Sequence, residues 1–385
     1  MELSSRRKSW ACIGFLVFAS SLSLFAQGDN FNSRGNILIA DQFNNRVIEV
    51  DRQGNIVWQF GLGPADFSPA SVIGVNDAQR VGDLTLMAGT GTPGGQPEAP
   101  NCTNPTGCPD NRVLLVDRDG NIAWQYGQFG VAGGGPNQLN VPVQNTWLPN
   151  RHVLITDQAN ERIIEVDVAT NGIVWQYGTT GVPGNGPNQL FNPNCAERLE
   201  NGHILICDEN NNRALEVTPK IPLGGDIVWQ YGSGDPNTNE PVSGVAFASR
   251  LRNGHTLITD SNHNRIVEID EDKNPVWEYF TCHGSGCNLA RGTGPLPTRA
   301  VRLRNGHTLI SDQYNHRVIE VNHGKQIVRT FGELGDLSYN TESVADGGLN
   351  SPYDAKRIGD YTGLTPPFAG EGDDGDDDSG DGGGH

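Results

Sequence analysis

Positive charge is scarce in this sequence. Its 385 residues carry 27 Lys and Arg against 45 Asp and Glu, a formal net charge of −18 at pH 7. A balance of that sign repels phosphate backbones and disfavours nucleic acid as a partner. Helical runs rich in Ala or Leu are also few, and 50 Gly with 23 Pro favour short strands joined by many turns. Beyond the N-terminus there is no apolar run long enough to span a bilayer. No nucleophile elbow, phosphate loop or metalloprotease helix occurs. Tyr279 stands where haem attachment would need a cysteine ahead of Cys282 and His283.

The two ends read as accessories. Arg6, Arg7 and Lys8 precede an apolar run from Trp10 to Ala26, the pattern of a secretory signal peptide over residues 1–26. Cleavage after Ala26 leaves no transmembrane span and a secreted or periplasmic chain; retention of the run as an anchor is the alternative. Residues 367–385 form an acidic Gly/Asp tail with too little apolar surface to fold.

Seven cysteines are present, and Cys12 leaves with the signal. The other six suggest three disulfides in an oxidising compartment. Cys102 with Cys108, and Cys282 with Cys287, each share a loop rich in Gly or Pro. Cys195 and Cys207 flank a turn at Glu200, Asn201 and Gly202. With Gly202 left-handed, the two face each other across a hairpin at a Cα separation of about 4.5–5.5 Å, unless a bulge shifts the register.

One sentence is written repeatedly along the chain. Asn305–Gly332 reads NGHTLISDQYNHRVIEVNHGKQIVRTFG, and versions of it begin at Asn253, Asn201, Asn150 and Gly35. A broken copy runs from Val81 to Gly127. A period of about 50 residues in an all-strand pattern means a propeller or solenoid. Each complete unit has four short strands, as in Asn194–Leu199, His203–Asp208, Arg213–Val217 and Ile227–Tyr231. Period-two alternation puts Ile227, Trp229 and Tyr231 on one face. Trp58, Trp124, Trp175, Trp229 and Trp277 share one position, read as packing between neighbouring sheets. Val328 and Arg329 replace the Val-Trp pair in the last unit.

The first unit lacks its first strand, whereas Leu349–Asp360 is a lone first strand after the last unit. Pairing the two seals a ring and removes the exposed edges. The expected fold is an all-β, six-bladed propeller over residues 27–366.

The element D-x-x-N-x-R recurs as Asp41/Asn44/Arg46, Asp157/Asn160/Arg162, Asp208/Asn211/Arg213 and Asp312/Asn315/Arg317, with Asp260/His263/Arg265 as a variant. Arg112 follows an insertion in the second unit. With the linkers GQFGVAGGGPNQLNVP and GTTGVPGNGPNQLFNP, this chain resembles the NHL repeat family over most of residues 31–360. The repeated Asp and Arg read as a hairpin-turn ion pair, scaffold rather than catalysis. The phrases NGHTLI, VIEV and IVWQY also resemble the propeller of bacterial arylsulfotransferases. That resemblance implies channel-facing His and Arg. The chain carries Gln144, Cys195, Phe247 and Arg299 where that family's first-strand histidine is expected.

Three sets of residues are candidates for a site. Arg80, Arg198, Arg250, Arg302 and Arg357, with Trp147 in the remaining unit, sit on the channel-lining strand. They suit a small anionic ligand, or else each pairs with an acid between blades. His152, His203, His255 and His307 begin the second strands, too far from the axis to share a metal, and read as turn residues. His263, His283 and His316 come from loops of one face and form a weak candidate metal set, as in peptide-amidating lyases with a similar propeller. His316 departs from its sisters Asn45, Glu161, Asn212 and Asn264. No cofactor is specified. The first expectation is an exported module that binds a protein or a small anion at the loop face and channel mouth. The second is an enzyme resembling an arylsulfotransferase or an amidating lyase.

Overall fold

The computed structural model describes residues 30–282, 294 and 296–360; the segments 1–26 and 367–385 lie outside them. The described chain forms six four-stranded antiparallel sheets. In the fourth blade the strands run Cys195–Arg198, Ile204–Asp208, Arg213–Pro219 and Gly225–Gly232, from the axis outwards. The innermost strands of blades one to six are Pro352–Arg357, Val75–Val81, Pro142–Trp147, Cys195–Arg198, Val245–Arg250 and Arg299–Arg302. Pro352–Arg357 pairs with Ile37–Asp41, Ala355 opposite Ile39, so the end of the chain completes the first sheet. A closed ring leaves no inner edge open to another chain.

Sheets stack through the alternate faces of Val- and Ile-rich strands. Trp58 belongs to a core with Met87 and Leu114 of the second blade, whereas Ile56 packs on the opposite side with Leu309 and Phe331 of the sixth. Period-two reading put the residues at these positions on one face, as with Ile227 and Trp229. The structure corrects that: Trp229 pairs with Glu216 and Ile227 with Val217, one residue short of regular register. A bulge falls at this point in every blade, between Glu49 and Val50 in the first and Glu320 and Val321 in the sixth. The extra residue turns the start of the outer strand over, which ends the alternation. Each tryptophan therefore faces the next blade while its strand's first residues face away.

The turns between second and third strands carry the repeated Asp, Asn and Arg. In blade one Arg46 Nε donates to Asp41 at 2.8 Å and Asn44 Nδ2 to the same oxygen at 2.9 Å, all three side chains being buried. The other Asp41 oxygen accepts the backbone N–H of Asn350, which fixes the incoming linker. The next position is left-handed, Asn45 having φ 50°, and its side chain accepts the N–H of Gly74 at the entrance to the following blade. Asn111, Glu161, Asn212, Asn264 and His316 all accept an N–H from the following linker in the same way.

Blade two solves the same problem differently. Its second strand ends at Gly89, opposite Arg112, where the others place aspartate. The insertion returns with Asp110, whose carboxylate holds Arg112 and accepts the N–H of Ile73 at 2.8 Å. A Cβ on Gly89 would collide with that carboxylate, so only glycine leaves the space.

Candidate functional site at the propeller axis

The innermost strands all begin at the face that carries the Asp-Asn-Arg turns, and that end of the axis is termed the mouth. Alternation directs every second side chain of these strands at the same level of the ring. One level comprises Asp354, Asp77, Gln144, Cys195, Phe247 and Arg299, each one residue before the partner of the second strand's central residue. Arg299 donates from Nη2 to Asp77 at 2.5 Å, pairs through Nε with Asp354 at 2.8 Å, and lies 4.2 Å from the Phe247 ring centroid. Lys356 bridges the two carboxylates at 2.7 Å each. Asp77 and Asp354 are completely withdrawn from solvent and Arg299 is buried, while Lys356 keeps a small exposed fraction. The same acids stitch neighbouring strands, since Asp354 accepts the N–H of Ala78 and Asp77 that of Asn145, both at 3.2 Å.

Burial pushes the Asp77 carboxyl above its usual range despite Lys356 and Arg299. Burial acts on Asp354 too, but the two cations hold it below that range. Two carboxylates sharing one ammonium group do not ionise alike. Deeper along the axis stands Glu197 of blade four, whose Oε2 is buried with no hydrogen-bond partner among the described residues. Burial raises its pKa to about 7, against the pull of Arg299 and Lys356.

At the mouth, Tyr353 of blade one and Asn194 of blade four meet across the full diameter of the ring. The Tyr353 hydroxyl lies 3.0 Å from Asn194 Nδ2 and 3.2 Å from its Oδ1. Asn194 Nδ2 also donates to Glu209 at 2.8 Å, and burial lifts that carboxyl to about 7. Burial and the neighbouring Glu209 push the Tyr353 hydroxyl up as well. The Tyr353 phenol and the Glu209 carboxyl thus meet at Asn194, with burial favouring the neutral form of each.

The arginines expected along the axis point elsewhere. Each reaches back to a glutamate on the third strand of the preceding blade: Arg80 to Glu49, Arg198 to Glu165, Arg250 to Glu216, Arg302 to Glu268 and Arg357 to Glu320. Four of these glutamates also hold the histidines that begin the second strands, His152, His203, His255 and His307, at 2.6–2.7 Å from Nδ1. The result is a His-Glu-Arg string across a blade boundary, at the end of the propeller opposite the mouth. Trp147 marks the exception, and the whole string changes with it. Leu84, Leu115 and Trp147 occupy the three positions and share one apolar core.

The two described members of the histidine set each have a partner within the fold. His263 Nδ1 lies 2.8 Å from Asp260 and replaces the turn asparagine. His316 is buried and accepts the Ser351 N–H at Nδ1, the role its sisters perform. His283 lies outside the described residues, among which no group of three His, Cys, Asp or Glu can hold a metal. Disulfides join Cys102 to Cys108 and Cys195 to Cys207, the latter pair directly opposed at a Cα separation of 4.8 Å. Cys287, the expected partner of Cys282, lies outside the described residues.

Sequence reasoning missed Asp77, Glu197, Asp354, Lys356 and Glu209. Aligning the six innermost strands level by level exposes the first four, because charge there falls among Gln, Cys, Phe, Thr and Ser. Glu209 stands where the sister turns carry Gln42, Gln158, Ser261 and Gln313.

No protein-family model and no curated protein matches the sequence. Among solved structures, a protein of unknown function from Bacteroides caccae is similar at 14% identity with a TM-score of 0.53, covering 81% of this chain and 97% of that one. Virginiamycin B lyase from Staphylococcus aureus is similar at 15% identity with a TM-score of 0.42, over 67% and 69% of the two chains. BamB from Moraxella catarrhalis is similar at 17% identity with a TM-score of 0.36, over 77% and 73%. At these identities the likeness concerns the fold alone, and only the first is close enough to count: the chain is a six-bladed, all-β propeller closed by its last strand.

Proposed function

We propose that the chain is an exported binding module of NHL-like build, taking a protein segment or small polar ligand at the channel mouth. The observation that carries this reading is the meeting of Tyr353, Asn194 and Glu209 across the ring. They are donor and acceptor groups held rigid by opposite blades, which suits recognition. The insertion of blade two adds a surface beside them. Its Ala99, Cys102 and Cys108 pack with Phe43, Phe67 and Tyr314, and the Glu98 carbonyl accepts from Asn350 at 2.7 Å. Export rests on the apolar run of residues 1–26 and on the two disulfides, with 367–385 as an acidic tail.

A second reading, an enzyme resembling an arylsulfotransferase or an amidating lyase, draws on the near-neutral carboxyl of Glu209 beside the Tyr353 phenol. A carboxyl raised in this way suits a general acid or base, while burial keeps the Tyr353 phenol protonated as a hydrogen-bond donor. Two measurements separate them. Native mass spectrometry of protein purified without chelators is expected to show a retained ligand, lost in Tyr353→Phe and Glu209→Ala. Turnover of an aryl sulfate donor, abolished by a single histidine substitution, would overturn the binding-module reading.

A further inference from the structure

Five blades place a tryptophan on the outermost strand against the next blade, and the sixth does not. Arg329 lies opposite Glu320 in its ladder as Trp277 lies opposite Glu268. The substitution leaves a space. A pocket of about 340 Å³ opens between blades six and one, lined among others by Arg52, His307, Glu320, Arg329 and Arg357.

The other boundaries show what is missing from it. Between blades five and six the Trp277 indole donates from Nε1 to the His323 carbonyl at 3.0 Å, and the Arg302 guanidinium lies 5.1 Å from its ring centroid. Arg80 lies over Trp58 at 4.9 Å and Arg250 over Trp229 at 4.8 Å in the same manner. Arg357 is the counterpart of Arg302 and Arg52 that of His323. Arg357 keeps its glutamate, but among the described residues no aromatic ring lies against it.

The pocket is also rich in cations, in a chain short of them. Arg329 approaches Glu320 only to 4.0 Å and is 34% exposed. Arg52 is exposed, packs across Gly35, and makes no hydrogen bond or ion pair among the described residues. The lining thus sets one carboxylate, Glu320, among three guanidinium groups, with Arg357 also 3.7 Å from Asp360 beside the pocket.

We propose that this pocket binds a small planar aromatic carboxylate. The ring takes the place of the missing indole against Arg357, a stacking geometry that guanidinium groups favour. The carboxylate bridges Arg52 and Arg329 through charge-assisted hydrogen bonds. The volume falls at the small end of ligand pockets, about 300–1,000 Å³, and admits one or two fused rings. This site lies at the end of the propeller away from the mouth and stands independently of the reading above.

Titration calorimetry on the full chain tests it with indole-3-acetate, indole and acetate as probes. Saturable one-to-one binding of indole-3-acetate is expected, with indole and acetate each at least about tenfold weaker because each lacks one of the two contacts. Arg329→Trp restores the pattern of the other five blades, so it folds, and it fills the pocket: indole-3-acetate binding disappears and the melting temperature holds or rises. Arg52→Gln changes an exposed side chain and weakens binding by about tenfold. Absence of saturable binding to the native chain, undiminished binding to Arg329→Trp, or equal affinity for indole or for acetate would each overturn the proposal.

Discussion

Arg299 of blade six donates to Asp77 of blade two at 2.5 Å, reaching past the blade that lies between them. The contact ties non-neighbouring sheets together, which inter-blade packing alone does not. Replacing Arg299 with Met leaves Asp77 and Asp354 to share Lys356 alone in a site closed to water. Uncompensated buried charge of this kind costs about 3–5 kcal/mol. Urea denaturation of Arg299→Met is expected to show a loss of that order, with the double variant Arg299→Met, Asp77→Asn, which keeps the Lys356–Asp354 pair, recovering much of it.

Glu197 and Glu209 set a pH dependence of known sign. Each has an ordinary pKa of 4.5 raised to about 7 by burial in the fold. The folded chain holds these protons more tightly than the unfolded chain, so the stability they contribute is full below 4.5 and is lost as pH rises through about 7. Glu209→Gln and Glu197→Gln are expected to raise the melting temperature at pH 8 and to leave it nearly unchanged at pH 4. A gain of equal size at both values would refute the assignment.

The Leu115-Trp147 contact and the Glu-Arg pairs at the other boundaries solve one packing problem in two ways. Leu115→Glu alone buries a carboxylate against Trp147, and Trp147→Arg alone buries a guanidinium against Leu115. Each single variant is expected to lose about 3 kcal/mol or more, as buried unpaired charges do. The double variant should recover part of the loss, giving a coupling energy of about 1–3 kcal/mol in a double-mutant cycle. Strict additivity would show that the two sites do not communicate.

The two described disulfides close loops with sequence separations of 6 and 12. Chain-entropy arguments assign about 2–3 kcal/mol to each. Melting each Cys→Ser pair against the native chain measures each contribution, since a reductant would also act on Cys282, which is itself disulfide-bonded. Cys102→Ser with Cys108→Ser should in addition disturb the mouth, because Cys102 packs with Phe43 and Tyr314. Cys195→Ser with Cys207→Ser also acts on the mouth, because Asn194 adjoins Cys195 and donates its N–H to the Cys207 carbonyl at 2.9 Å.

What the sequence made legible was periodic. The six blades, the closing strand, the hairpin register of Cys195 with Cys207 and the Asp-Arg turn pairs all follow from aligning repeats. What stayed hidden required knowing which residues of different repeats meet. Arg80, Arg198, Arg250, Arg302 and Arg357 lie on the expected strands, but their partners are glutamates some thirty residues earlier, on another sheet. Asp110 escaped notice because the insertion breaks the motif's spacing while restoring its geometry. His316 stood out by residue type, yet its ring nitrogen accepts the same N–H that Asn45 accepts through its amide oxygen. Arg329, by contrast, was visible as an exception in the sequence, and its position at an otherwise uniform boundary opens a cavity.

The strand Pro352–Arg357 completes a sheet begun at Ile37. A ribosome adding about 5–20 residues per second needs roughly 15–60 s to travel from one to the other. Throughout that interval the first sheet has three strands, and Ile37–Asp41 presents a free edge. Ring formation therefore waits until Pro352–Arg357 has emerged, and whatever handles the nascent chain before then meets an incomplete sheet rather than a finished propeller.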